Sequence, residues 1–166
     1  MKTVATSIGL LLLALVVTRA WTDEPPRSAL SVDQARRQAE ILHDTLHTTL
    51  RVVHHRYYRE DEGLLLPAAA LREIFADIEK RQKIELHWLA VEGEVMNTDH
   101  RARDDFEQAA VVALKADKPF HEDITATTYR RAGPITLRNE CLKCHVPDRK
   151  STEDRTAGLV ITIPLR

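Results

Sequence analysis

The chain is short of almost everything that would advertise a common chemistry. Only two cysteines occur in 166 residues, and no second C-x-x-C pair exists to close a four-ligand zinc site with them. Lys plus Arg (24) nearly balance Asp plus Glu (25), so the basic excess that nucleic-acid binding wants is absent. No Ser-His-Asp order, nucleotide loop or helix with paired carboxylates stands out, which leaves an enzyme unsupported. Internal repeats and low-complexity tracts are missing too. No apolar run reaches the ~20 residues that a membrane-spanning helix needs.

What is present is concentrated near the C-terminus. Both cysteines fall in Cys141-Leu142-Lys143-Cys144-His145, the C-x-x-C-H form of covalent haem attachment. Two thiols three positions apart can each add to a vinyl group of one porphyrin, and the adjacent imidazole of His145 then becomes an axial ligand of the iron. Two other readings share the spacing. One is a dithiol redox pair, with 129–138 as the strand before it; the other is a tight disulfide in an exported loop.

The N-terminus agrees with export. Lys2 precedes an apolar core over 8–17 that stops at Thr18-Arg19-Ala20, which reads as a secretory signal cleaved near Ala20, or as an uncleaved anchor within residues 4–17. The body is expected to be periplasmic or secreted, with membrane association only if the segment is kept. Removing residues 1–20 takes away Lys2 and Arg19 and no acid, leaving 22 basic side chains against 25 acidic ones. Residues 21–27, with Pro25 and Pro26, form a linker, and 28–166 make one domain with a core of its own.

Along that domain the periodicity changes several times. A helix over 28–59, capped by Ser28 or Ser31 and free of Gly and Pro, gathers Leu42, Leu46, Thr49, Leu50, Val53 and Tyr57 on one arc. His43, His47, His54 and Tyr58 border that arc, whereas His55 points away. Gly63 suits a left-handed C-terminal position, and Pro67 opens a second helix to about Lys83. A strand reads from Ile84 towards Met96 with a turn or bulge at Glu92-Gly93, and Trp88 belongs to the core. A third helix covers 103–116 and begins near Asp99. Two β segments, 124–131 and 134–137, are split by a hairpin turn at Ala132-Gly133. A polar loop over 146–156 leads to a closing strand over 157–166. The order is α+β, with a mostly antiparallel sheet, a long N-terminal helix and further flanking helices.

An iron held by His145 needs a second axial donor. His54 is the candidate, with His55, Met96 and the remaining histidines as rivals. Arg130, Arg131, Arg138 and Lys143 are candidate partners for haem propionates.

The long helix, the sheet, Glu140-Cys-Leu-Lys-Cys-His145 and the terminal Gly158-Leu-Val-Ile-Thr-Ile-Pro164 strand together resemble a family of exported, cyanobacterial-type haem c proteins with a PAS-like fold, first catalogued as a domain of unknown function. The layout matches over most of 30–166, and the haem motif and last strand match closely. Its members are often fused to histidine kinases or chemoreceptors as sensors. In relatives the distal ligand can be a cysteine on the first helix, within a stretch that looks like Leu50-Arg-Val-Val-His54; with no cysteine there, the resemblance implies His54, or else His55. It implies a redox or gas sensor; with no transmitter domain following residue 166, a separate signalling partner is expected. A small electron-transfer cytochrome with a redox partner, and a haem-free thiol–disulfide protein, are the alternatives.

Overall fold

The computed structural model describes residues 30–59, 62–63, 67–93, 97–145 and 150–165, with only the backbone of Lys143, Cys144 and His145. The signal segment 1–20, the linker 21–27, Ser28 and Met96 lie outside the described residues, as do 146–149. Among the described residues no helix is long and apolar enough to cross a membrane.

Helix α1 (Val32–Tyr57) begins at a capping box: Gln34 N–H donates to Ser31 Oγ at 3.2 Å, and the Ser31 N–H donates to Gln34 Oε1 at 2.9 Å. It buries Ala35, Ala39 and Leu46. The expected apolar arc is corrected at Thr49 and Tyr57, which are exposed, Tyr57 by 69%. Helix α2 (Pro67–Gln82) starts at Pro67 as the sequence implies, and ends where Lys83 adopts φ 60°.

Strand β1 (Glu85–Leu89) is shorter than its sequence suggests. Beyond it Ala90 N–H donates to the His100 carbonyl and Glu92 N–H to the Thr156 carbonyl, and Gly93 turns the chain with φ 86°. Asp99 belongs to a separate 3-10 turn, Thr98–His100, and α3 (Asp105–Lys115) has Asp104 as its N-cap, whose side chain accepts from Glu107 N–H.

Strands β2 (His121–Ile124) and β3 (Thr128–Leu137) form a hairpin around Thr125, whose N–H donates to the Thr128 carbonyl. The hairpin expected at Ala132-Gly133 is therefore displaced: those residues lie in the middle of a continuous ten-residue strand. Helix α4 (Asn139–His145) follows at once, and β4 (Arg155–Pro164) closes the chain.

The sheet is antiparallel throughout, in the order β1-β4-β3-β2. Alternation along the strands sends Tyr129, Ile135, Leu159, Ile161 and Ile163 towards α1 and α2, where Leu46, Leu71 and Phe75 complete the larger core. Trp88 packs there, its ring 5.0 Å from that of Phe75. Ala132, Val160 and Leu89 face the other way, against Ala110 and Leu114 of α3. The fold is α+β, as the element order implies, with helices on both faces of the sheet.

Candidate functional site

The C-x-x-C-H stretch occupies α4, which leaves β3 through Arg138 alone. The Arg138 carbonyl accepts from Cys141 N–H at 2.8 Å and from Leu142 N–H at 3.1 Å. Leu142, 1% exposed, anchors this short helix. At 100° per residue, positions 141, 144 and 145 fall within an arc of ~100°, so a helical α4 brings the three to one side. Cys141 is a half-buried free thiol. Burial pushes its acidity towards higher pKa, with Glu140 and Asp154 adding to the effect and the Arg138 contact opposing it.

Helix α1 runs alongside the strand that leads into α4, and its alignment can be read from two hydrogen bonds. His43 Nε2–H donates to the Pro134 carbonyl at 3.1 Å, and Thr136 N–H donates to His47 Nε2 at 3.4 Å. Four residues of helix rise ~6 Å and two residues of strand ~6.6 Å, so both chains advance together and in the same direction. His54 lies seven residues past His47, ~10.5 Å further along the axis, at the level where β3 gives way to α4. It is half-buried, with its ring 5.0 Å from Tyr58, whereas His55 is exposed, in keeping with the periodicity.

The candidate propionate partners separate into two groups. Arg130 is committed to Asp104 (2.7 Å) and Glu107 (3.5 Å) and lies over the Phe106 ring, on the α3 face of the sheet. Arg131 pairs with Glu40 and Glu122, each at 3.6 Å, and stacks on Phe120. Arg138 remains exposed at the start of α4, and the side chain of Lys143 lies outside the described residues.

Two features were not read from the sequence, the bonds that His43 and His47 make to β3 and a cluster around His87. The i, i+4 spacing of His43 and His47 was a visible signal, since one helix face presents both rings together; their centroids are 5.7 Å apart. The second is a buried charged cluster on the α3 face, lining a cavity of about 440 Å³. His87 (8% exposed) sits with Nδ1 3.1 Å from Glu107 Oε1, and its Nε2–H donates to the Asp99 carbonyl at 2.7 Å. Glu107 (2% exposed) also accepts from Arg103 N–H and Arg130, so its buried charge is met from three sides. Among the described residues no group of three or more His, Cys, Asp or Glu is arranged to hold a metal ion.

Comparisons with known proteins agree with this architecture. No curated protein matches the chain. The crystal structure of the cyanobacterial heme-protein Tll0287 superposes with a TM-score of 0.60 at 12% identity, over 81% of this chain and 97% of that one. A model of the Tll0287-like family matches residues 28–159, most of the length and all but the last residues of the sheet, and the chain belongs to the Tll0287-like family.

Proposed function

We propose that this protein binds haem, and that the haem is c-type, joined through thioethers at Cys141 and Cys144 with His145 as one axial ligand and His54 as the other. The observation that carries this reading is the placement of C-x-x-C-H on α4, at the level reached by the histidine-bearing end of α1. Membership of a family with a haem protein among its structural relatives supports it.

The donor set fits the group. Two thiols one helical turn apart match the vinyl spacing that the motif serves, and an imidazole beside the second completes the proximal side. A thiol–disulfide exchanger would need Cys141 to ionise easily, whereas burial drives its thiol the other way. When bound, the haem would supply one-electron redox chemistry and a site for a diatomic ligand. The chain's own part is to seat it: Leu142 fixes α4 in the core, Arg138 offers a cation at the helix start, and α1 brings His54 to the distal side.

The role that follows is redox or gas sensing outside the cytoplasm, in a chain exported by residues 1–20 or held by residues 4–17. The test is expression in a host competent in cytochrome c maturation. Pigment that stays with the chain in acid acetone supports the reading, and a colourless chain with both thiols open to alkylation overturns it. Rapid binding of carbon monoxide to the reduced protein selects sensing, and inertness selects electron transfer.

A further inference from the structure

Strand β3 has one long neighbour and one short one. All ten of its residues pair with β4, whereas β2 covers only Tyr129 to Ala132. From Gly133 onward, among the described residues, no strand lies beside the outer edge of β3, and its backbone groups need other partners. Proline at 134 removes one N–H from that edge. The remaining Pro134 carbonyl and Thr136 N–H are met by His43 and His47. Two side chains of α1 thus replace a strand.

The two rungs place opposite demands on the rings. A carbonyl only accepts, so His43 Nε2 must carry hydrogen. An N–H only donates, so His47 Nε2 must keep its lone pair, and its ring must be neutral for the bond to exist. We propose that His43 and His47 are positioning residues, forming a two-rung clasp that sets the height of α1 along β3, and that protonation of His47 opens the lower rung and frees the end of α1 that carries His54.

The surroundings of His47 favour the closed state at neutral pH. Burial holds its pKa below the ordinary imidazole value, and the neighbouring His43 and Arg51 push the same way. Asp44 opposes them, and Arg138, at the end of β3, adds a further positive charge. Acidification must overcome all of these but Asp44.

The optical part of the test rests on the haem reading above, so it is joined to one that does not. Haem-loaded wild type is compared with His47→Gln, which keeps an acceptor and cannot titrate, and with His47→Ala, which has neither property. The first readout is hydrogen exchange at the Thr136 amide, each variant compared with the others at the same pH from neutral down to about pH 4. The second is the visible spectrum and midpoint potential over the same range. In wild type, Thr136 exchange is expected to rise about fivefold relative to His47→Gln as the ring protonates, with the spectrum and potential moving along the same curve. His47→Gln holds the spectrum and potential flat and its Thr136 exchange follows only the intrinsic pH dependence of an amide, and His47→Ala exceeds His47→Gln at neutral pH by the factor that wild type reaches in acid. A pH profile shared by wild type and His47→Gln overturns the clasp. So does loss of axial ligation in His47→Gln, which would make His47 an iron ligand. A colourless protein that still shows the Thr136 response sinks the haem assignment and leaves the clasp standing.

Discussion

The His43 ring lies directly on Gly133: a Cβ at that glycine would stand 2.5 Å from both Cδ2 and Nε2 of the imidazole. Glycine serves here to let helix and strand approach, with no turn involved. Gly133→Ala must displace the ring and break its bond to Pro134, at a cost of about 1–3 kcal/mol. Chemical denaturation of Gly133→Ala, His43→Ala and the double variant checks this. The double variant is expected to lose less than the sum of the singles, because the clash disappears with the ring.

On the proposed reading the clasp aligns α1 with α4, and His54 is the distal donor to be tested. His54→Ala is expected to change the spectra of the ferric and ferrous protein, and His55→Ala to leave them unaltered, since His55 is exposed. An unchanged His54→Ala spectrum would remove the assignment.

Acid should loosen the sheet's β2 side. Hydrogen bonds from Arg36 hold the Glu122 carboxyl below its ordinary range against the opposing effect of burial, and the buried Tyr129 hydroxyl adds another at 2.7 Å. A carboxylate with a lowered folded pKa contributes stability that is present above its unfolded value of ~4.3 and is lost as pH falls through the folded one. Glu122→Gln is therefore expected to cost about 1 kcal/mol at neutral pH and progressively less in acid. Urea midpoints measured across pH would show the gap between wild type and variant closing.

On the far face, the His87–Glu107 pair is buried, with Arg130 as a third member. Glu107→Ala leaves the buried His87 Nδ1 without its partner, while Arg130 keeps Asp104, and should cost about 1–3 kcal/mol. His87→Leu combined with Glu107→Leu is expected to cost less than the sum of the single changes. Neither should alter the haem spectrum, since Arg130 lies seven residues up β3 from Leu137, about 23 Å from the strand's end at α4. Thermal unfolding and a visible spectrum of each variant test both halves.

How legible this was in the sequence varied with the kind of signal. The helix starts at Ser31 and Pro67 were readable because capping and proline chemistry act locally. The division between His54 and His55 was readable because helical periodicity separates adjacent residues by 100°. Ala132-Gly133 misled because Ala-Gly beside Pro134 is local turn chemistry, and the reason for the glycine lies 90 residues away at His43. The burial of His87 and Glu107 gave no hydropathy signal at all, since each is accommodated by partners distant in sequence, the two by each other and Glu107 also by Arg130. Tyr57 continued the apolar arc in sequence, but by helical rise it lies past the end of β3, and it is 69% exposed.

The most direct test of the central claim is tandem mass spectrometry of the peptide carrying Cys141 and Cys144, taken from protein matured with the cytochrome c machinery. The account predicts a single peptide heavier by one haem, with both sulfurs modified. The unmodified peptide, with the two thiols free or joined to each other, would contradict it.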